Sequence, residues 1–121
     1  MPKRADQSAN LCKNIGGKLP LPLNMKQNND FQKEIKRLFP IMKTSYKAFI
    51  LDLNDVTKEG HFIDSFGNQP SFTNWKKYEP SNYNNDEHFV SFSMKFGTWN
   101  DISGEHYPWP ENLHTICEIL C

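Results

Sequence analysis

The order of apolar and polar positions divides the chain into a helical beginning and a loop-rich remainder. Residues 4–14 are good helix formers that place Ala5, Ala9 and Cys12 on one helical face, and Gly16-Gly17 then stops the helix. Leu19-Pro20-Leu21-Pro22 reads as extended chain. A second helix is predicted from Asn28 or Asn29 to about Leu38. Asn29 or Asp30 would cap it, Phe31, Ile35, Leu38 and Phe39 form its apolar stripe, and Pro40 ends it. Beyond Pro40 the period changes to that of short strands. Ala48-Phe49-Ile50-Leu51 is an apolar strand, Gly60–Asp64 alternates into a Gly67-Asn68 turn, and His88–Phe92 carries Phe89 and Val90 among polar neighbours. Thr98-Trp99 reads as a strand end and Leu113–Leu120 as a closing strand. From Phe72 to Asp86 runs a polar, Asn-rich loop of about 15 residues, a length usually retained for function. Two early helices followed by a loop-rich β region predict an α+β domain.

Length adds that 121 residues hold one domain, 1–121, with no repeat or linker inside it. A chain of that size buries about two-thirds of its unfolded surface, enough for an independent core. Charge then directs attention. Fourteen basic and fourteen acidic side chains cancel overall, which offers no bulk attraction for nucleic acid. The halves differ, however: residues 1–58 carry 11 basic and 5 acidic groups, residues 59–121 carry 3 and 9. The acidic half is where a cation is expected. No run of 18 apolar residues predicts a membrane span, and Met1-Pro2-Lys3-Arg4 opens no visible signal peptide. Three cysteines leave the redox compartment open. No Ser-His-Asp or Cys-His arrangement stands out and Gly16-Gly17 lacks a phosphate-loop pattern, so no enzyme is expected. His61, His88, His106 and His114 are scattered and read as surface or strand residues, not ligands; Trp75 and Trp99 read as core.

The chemistry concentrates in five oxygen-bearing side chains of the acidic half. Glu79 and Ser81 flank Pro80, Glu87 follows, and Asn100 and Asp101 come after Trp99. Three carboxylates, an amide and a hydroxyl suit calcium, which takes roughly six to eight oxygen ligands. They suit zinc poorly, because no Cys or His pair has ligand spacing beside them. A cis bond at Pro80 would turn the Glu79 and Ser81 side chains toward the same side.

These motifs resemble the C-type lectin-like domain. The resemblance rests on Phe72-Thr-Asn-Trp-Lys-Lys-Tyr-Glu79-Pro80-Ser81, then Glu87, Val90 and Trp99-Asn100-Asp101. Upstream, Ala9-Asn-Leu-Cys12 with Gly17 and Leu19, then Leu53-Asn54-Asp55, Glu59-Gly60 and Phe62, resemble the family's first helix and central stretch. Ile116-Cys117-Glu118 resembles its ending. The similarity covers about residue 4 to 121. It implies a C-type lectin-like fold: two helices, small antiparallel sheets and a long calcium-binding loop. It also implies a secreted module that recognises glycans of glycoproteins or microbial surfaces, as in innate immunity or cell adhesion. Carried over by position, Glu79, Ser81, Glu87, Asn100 and Asp101 would ligate calcium and bind the sugar's vicinal hydroxyls, with Asp101 also lending its backbone carbonyl. Asp55, Glu59 and Asn82 would form a second calcium site, whose occupancy the sequence leaves open.

Departures from the family pattern qualify the sugar. Ser81 stands where mannose-type members carry Asn and galactose-type members Asp. Glu79 leans toward mannose or fucose, Tyr83 toward galactose through an aromatic packing surface, and the balance narrowly favours mannose or fucose. The family's outer disulfide would join Cys12 and Cys117, adding roughly 4–5 kcal/mol by chain entropy. Its inner cysteines are replaced by Phe89 and Gly104, with Phe89 supplying packing instead. Cys121 is then left for another chain, as in a homodimer, or for an upstream cysteine. The short amino terminus implies an unpaired edge on Leu113–Leu120, and Glu105–Asn112 reads as an insertion. The alternative function is a calcium-independent protein-binding module of the same family.

Overall fold

A computed structural model gives the structure of residues 5–39, 47–82, 85–104 and 113–119. Helix α1 spans Ala5–Asn14 and stops where Gly16 takes a φ of 79°. Strand β1 is Gly17–Lys18 and helix α2 is Met25–Leu38. Strands β2 (Ala48–Asn54), β3 (Phe89–Ser93), β4 (Trp99–Ile102), β5 (Leu113–His114) and β6 (Glu118–Ile119) follow.

Helix α2 begins earlier than the apolar stripe predicts. Asn24 is its cap: Asn24 Oδ1 accepts from Gln27 N at 2.8 Å, and Gln27 Oε1 accepts from Leu23 N at 2.9 Å. These two bonds satisfy backbone donors at and just before the first turn and move the helix start away from Asn29 and Asp30. Leu38, expected in the stripe, is 49 % exposed, and buried Asn28 takes a place the apolar stripe omitted.

The main sheet runs in the order β4-β3-β2-β5. β2, β3 and β4 are antiparallel, but β5 lies parallel to β2, with Ala48 opposite Leu113. The sheet is therefore mixed rather than purely antiparallel. β2 is buried along nearly its whole length because both faces are covered. Phe49, Leu51 and Leu53 join Ile35 of α2 with Val90, Phe92, Met94 and Trp99. Ala48 and Ile50 join Cys12 of α1 with Leu19, Ile102 and Leu113 on the other face. Phe89 packs against this second cluster.

The expected long closing strand is instead two short ones in different sheets. Residues 115–117 separate them, and β6 pairs antiparallel with β1, Lys18 opposite Glu118. That pairing gives β6 a partner, whereas β5 is the outer strand of the main sheet. Gly60–Asp64 likewise forms no strand, only an isolated bridge between Ile63 and Asn54. Cys12 and Cys117 form the expected disulfide, with Cα atoms 5.3 Å apart. This bond lies within the chain and lends no support to a link between chains. Tyr83, Cys121 and the Glu105–Asn112 segment lie outside the described residues. Among the described residues, no helix is long and apolar enough to cross a membrane.

Candidate metal and ligand site

The long loop is fastened to β4 before it reaches its acidic residues. Trp99 N donates to Asn74 O and Lys76 N donates to Trp99 O, both at 2.8 Å. Beneath it, the Trp75 ring packs against Phe62 at 5.2 Å and edge-on against Trp99 at 6.1 Å between ring centroids; Trp99 is core, as the sequence predicts, and half-buried Trp75 packs against that core. Trp99 Nε1 donates to Asn28 Oδ1 at 2.8 Å, and Asn28 Nδ2 donates to Gly97 O at the same distance. Gly97 has a φ of 72° and sits under Gln32, where a Cβ would come within 2.8 Å of Gln32 Oε1. The positive φ favours glycine at that turn.

Above this base the chain turns twice. Glu79 N donates to Lys76 O and Asn85 N donates to Asn82 O, both at 2.9 Å, and the Glu79-Pro80 peptide is cis. The turns bring the acidic side chains together: Glu79, Glu87 and Asp101 have carboxylate oxygens within 4.8 Å of one another. Asp101 is fully buried, and its two oxygens accept from Ser81 N at 2.9 Å and Asn82 N at 2.6 Å. Ser81 Oγ donates to Glu87 Oε1 at 3.0 Å, and Glu87 N donates to Asn82 Oδ1 at 3.1 Å. Asn100 precedes Asp101 on β4, opposite Ser91.

Two atoms of this group lack what buried acceptors normally have. Glu79 Oε1 and Asn100 Oδ1 are enclosed with no hydrogen-bond donor. Burial, then the Asp101 and Glu87 carboxylates, push the Glu79 carboxyl up to about 7, against a smaller opposing pull from the Ser81 hydroxyl. A hard cation answers both features, since it draws in acceptors and stabilises clustered negative charge.

A second cluster lies where Asp55, Glu59 and His88 meet, again with ligand atoms within 4.8 Å. Asp55 N donates to His88 O at 3.1 Å, so the end of β2 and the start of β3 hold these residues together. Partial desolvation and the neighbouring Asp55 carboxyl raise Glu59 above the ordinary carboxylate range. Asn82, expected beside Asp55 and Glu59, makes its hydrogen bonds with Glu87 and Asp101 instead. His88 was not expected to join a ligand cluster. Its partner Asp55 is 33 residues away, and no local spacing marks the pair.

A family model described as the Lectin C-type domain matches residues 1–119. The chain belongs to the C-type lectin domain family. Solved structures agree on the C-type lectin fold. CEL-I from Cucumaria echinata is 20 % identical, with a TM-score of 0.72 over 85 % of this chain and 76 % of that one. Human lithostathine is 23 % identical, with a TM-score of 0.71 over 85 % and 77 %. The carbohydrate-recognition domain of the human scavenger receptor C-type lectin is 18 % identical, with a TM-score of 0.70 over 83 % and 74 %. C-type lectin domains are generally binding modules rather than enzymes, commonly bind calcium, and are typically extracellular or secreted.

Proposed function

We propose that residues 1–121 form one secreted, non-enzymatic domain that binds carbohydrate through calcium. The observation that carries this reading is the pair of enclosed acceptors, Glu79 Oε1 and Asn100 Oδ1, beside three convergent carboxylates. Glu79, Ser81, Glu87, Asn100 and Asp101 would hold the ion, an all-oxygen set suited to a hard cation. When bound, calcium supplies a positive centre with free coordination positions for two vicinal hydroxyls. The chain's own part is positioning. Asp101, pinned by two backbone N–H groups, fixes the loop on β4. Glu79 and Asn100 keep acceptors available, and Asn100 also has amide hydrogens to give to a sugar hydroxyl. Glu79-Pro80 favours mannose or fucose over galactose.

One observation favours a calcium-independent protein-binding module. Asp101 already has a donor for each oxygen, and Ser81 Oγ is joined to Glu87. Calorimetry on chelator-stripped protein separates the two readings. Saturable calcium heat, abolished by Glu79→Ala or Asp101→Ala and followed by more heat with mannose than galactose, is the expected result. A folded protein that takes up no calcium at this site would leave the protein-binding reading.

A further inference from the structure

The second cluster differs in chemistry from the first. Among the described residues, two groups of three or more potential metal ligands converge, and only one of them contains a nitrogen. His88 Nδ1 lies 3.0 Å from Asp55 Oδ1 and 3.3 Å from Glu59 Oε1. Tetrahedral zinc, with ligands at roughly 2.0–2.1 Å, sets neighbouring ligand atoms about 3.3 Å apart. Both contacts of the imidazole nitrogen already stand close to that spacing, and all three donors lie within 4.8 Å of one another.

Their surroundings also suit a transition metal. Asp55 is almost wholly buried, and its other oxygen accepts from Gly60 N at 2.8 Å, which orients the carboxylate toward the imidazole. Backbone pairing of Asp55 N with His88 O fixes two of the three donors on the sheet. Glu59 is 55 % exposed and reaches in from solvent, leaving an approach for an ion and a water. Calcium would find little here. It wants six to eight oxygens, whereas this cluster offers two carboxylates, one of them half-engaged, and a softer nitrogen.

We propose that Asp55, Glu59 and His88 form a site for zinc or a similar borderline divalent ion, with water in the fourth position. The imidazole selects the metal, so the cluster is separate in both chemistry and ligands from the Glu79 site and does not depend on it. His88→Asp would restore an all-oxygen set and shift preference toward calcium.

Zinc titration by calorimetry, in the presence of saturating calcium, tests this on the whole chain, with cobalt absorption as a second readout of coordination. The expected result is one zinc per chain, a tetrahedral cobalt spectrum, and a loss of about 100-fold or more in zinc affinity for His88→Ala. The Tm of that variant should stay close to that of the unaltered chain, which shows that it is folded. His88→Asp should lose the cobalt spectrum and gain a second calcium. Zinc affinity unchanged in a folded His88→Ala protein, an octahedral cobalt spectrum, or displacement of zinc by equimolar calcium would each overturn the proposal.

Discussion

Neighbouring residues of β4 treat their buried polar groups in opposite ways. At Trp99 the indole N–H meets Asn28 Oδ1, Asn28 donates onward to Gly97 O, and Asn74 donates to that same carbonyl at 2.8 Å. One residue later, Asn100 Oδ1 is enclosed with no donor, as is Glu79 Oε1 from the adjoining loop. The first arrangement locks the loop base to α2. The second gives up hydrogen bonds that would stabilise the fold by about 1–3 kcal/mol for each buried group left unmade. Stability and binding capacity thus lie side by side on one short strand, and the rigid half holds the acceptors of the other half in place.

The largest break in this contrast comes from Trp99→Ala, which removes the ring at the centre of the core cluster. Chemical denaturation should register a loss of about 3–5 kcal/mol; a loss under about 1 kcal/mol would mean that the loop base is not locked. Asn28→Ala should cost less, about 1–3 kcal/mol, because it orphans the Trp99 N–H while Gly97 O keeps its bond from Asn74. At the other end, Glu79→Gln removes a charge that the fold opposes. The metal-free Tm should hold or rise, and the rise in Tm on adding calcium should disappear.

Acidity offers a gentler probe of the same residue. The folded, metal-free chain holds the Glu79 proton up to about 7, against an ordinary 4.5. This carboxyl therefore contributes stability fully below about 4.5, and that contribution is lost as pH rises through about 7. Calcium should act in the opposite sense, binding more tightly as pH rises through the same window. Denaturation with and without calcium between pH 5 and 8 should show the two trends diverging. Smallest of all, Lys26→Ala removes an exposed pair with Asp30 and should leave Tm unchanged.

Much of this contrast was legible in the sequence. Glu79, Ser81, Glu87 and Asp101 are brought to one place, Asn100 stands next to Asp101 on β4, and the Cys12–Cys117 bond and the buried Trp99 are where the motifs indicate. What escaped notice depends on specific partners. The start of α2 was hidden because Asn24 caps it through Gln27 N, with Gln27 Oε1 taking Leu23 N, while the apolar stripe begins only at Phe31. Leu113–Leu120 reads as one strand because no Gly or Pro interrupts it, yet Leu113–His114 pairs with β2 and Glu118–Ile119 with β1 in different sheets. His88 looked like a strand residue. Its meeting with Asp55 follows from long-range pairing of β2 and β3, which no local periodicity encodes.

The covalent bond between Cys12 and Cys117 spans 105 residues, so residues 12–117 form a closed ring. A protease that cuts once inside the ring opens it but releases nothing. The nicked product keeps its mass and runs as two pieces only after reduction. Cleavage in the long loop would leave the part carrying Glu79 tethered to the part carrying Asp101, so the two could still meet across the cut.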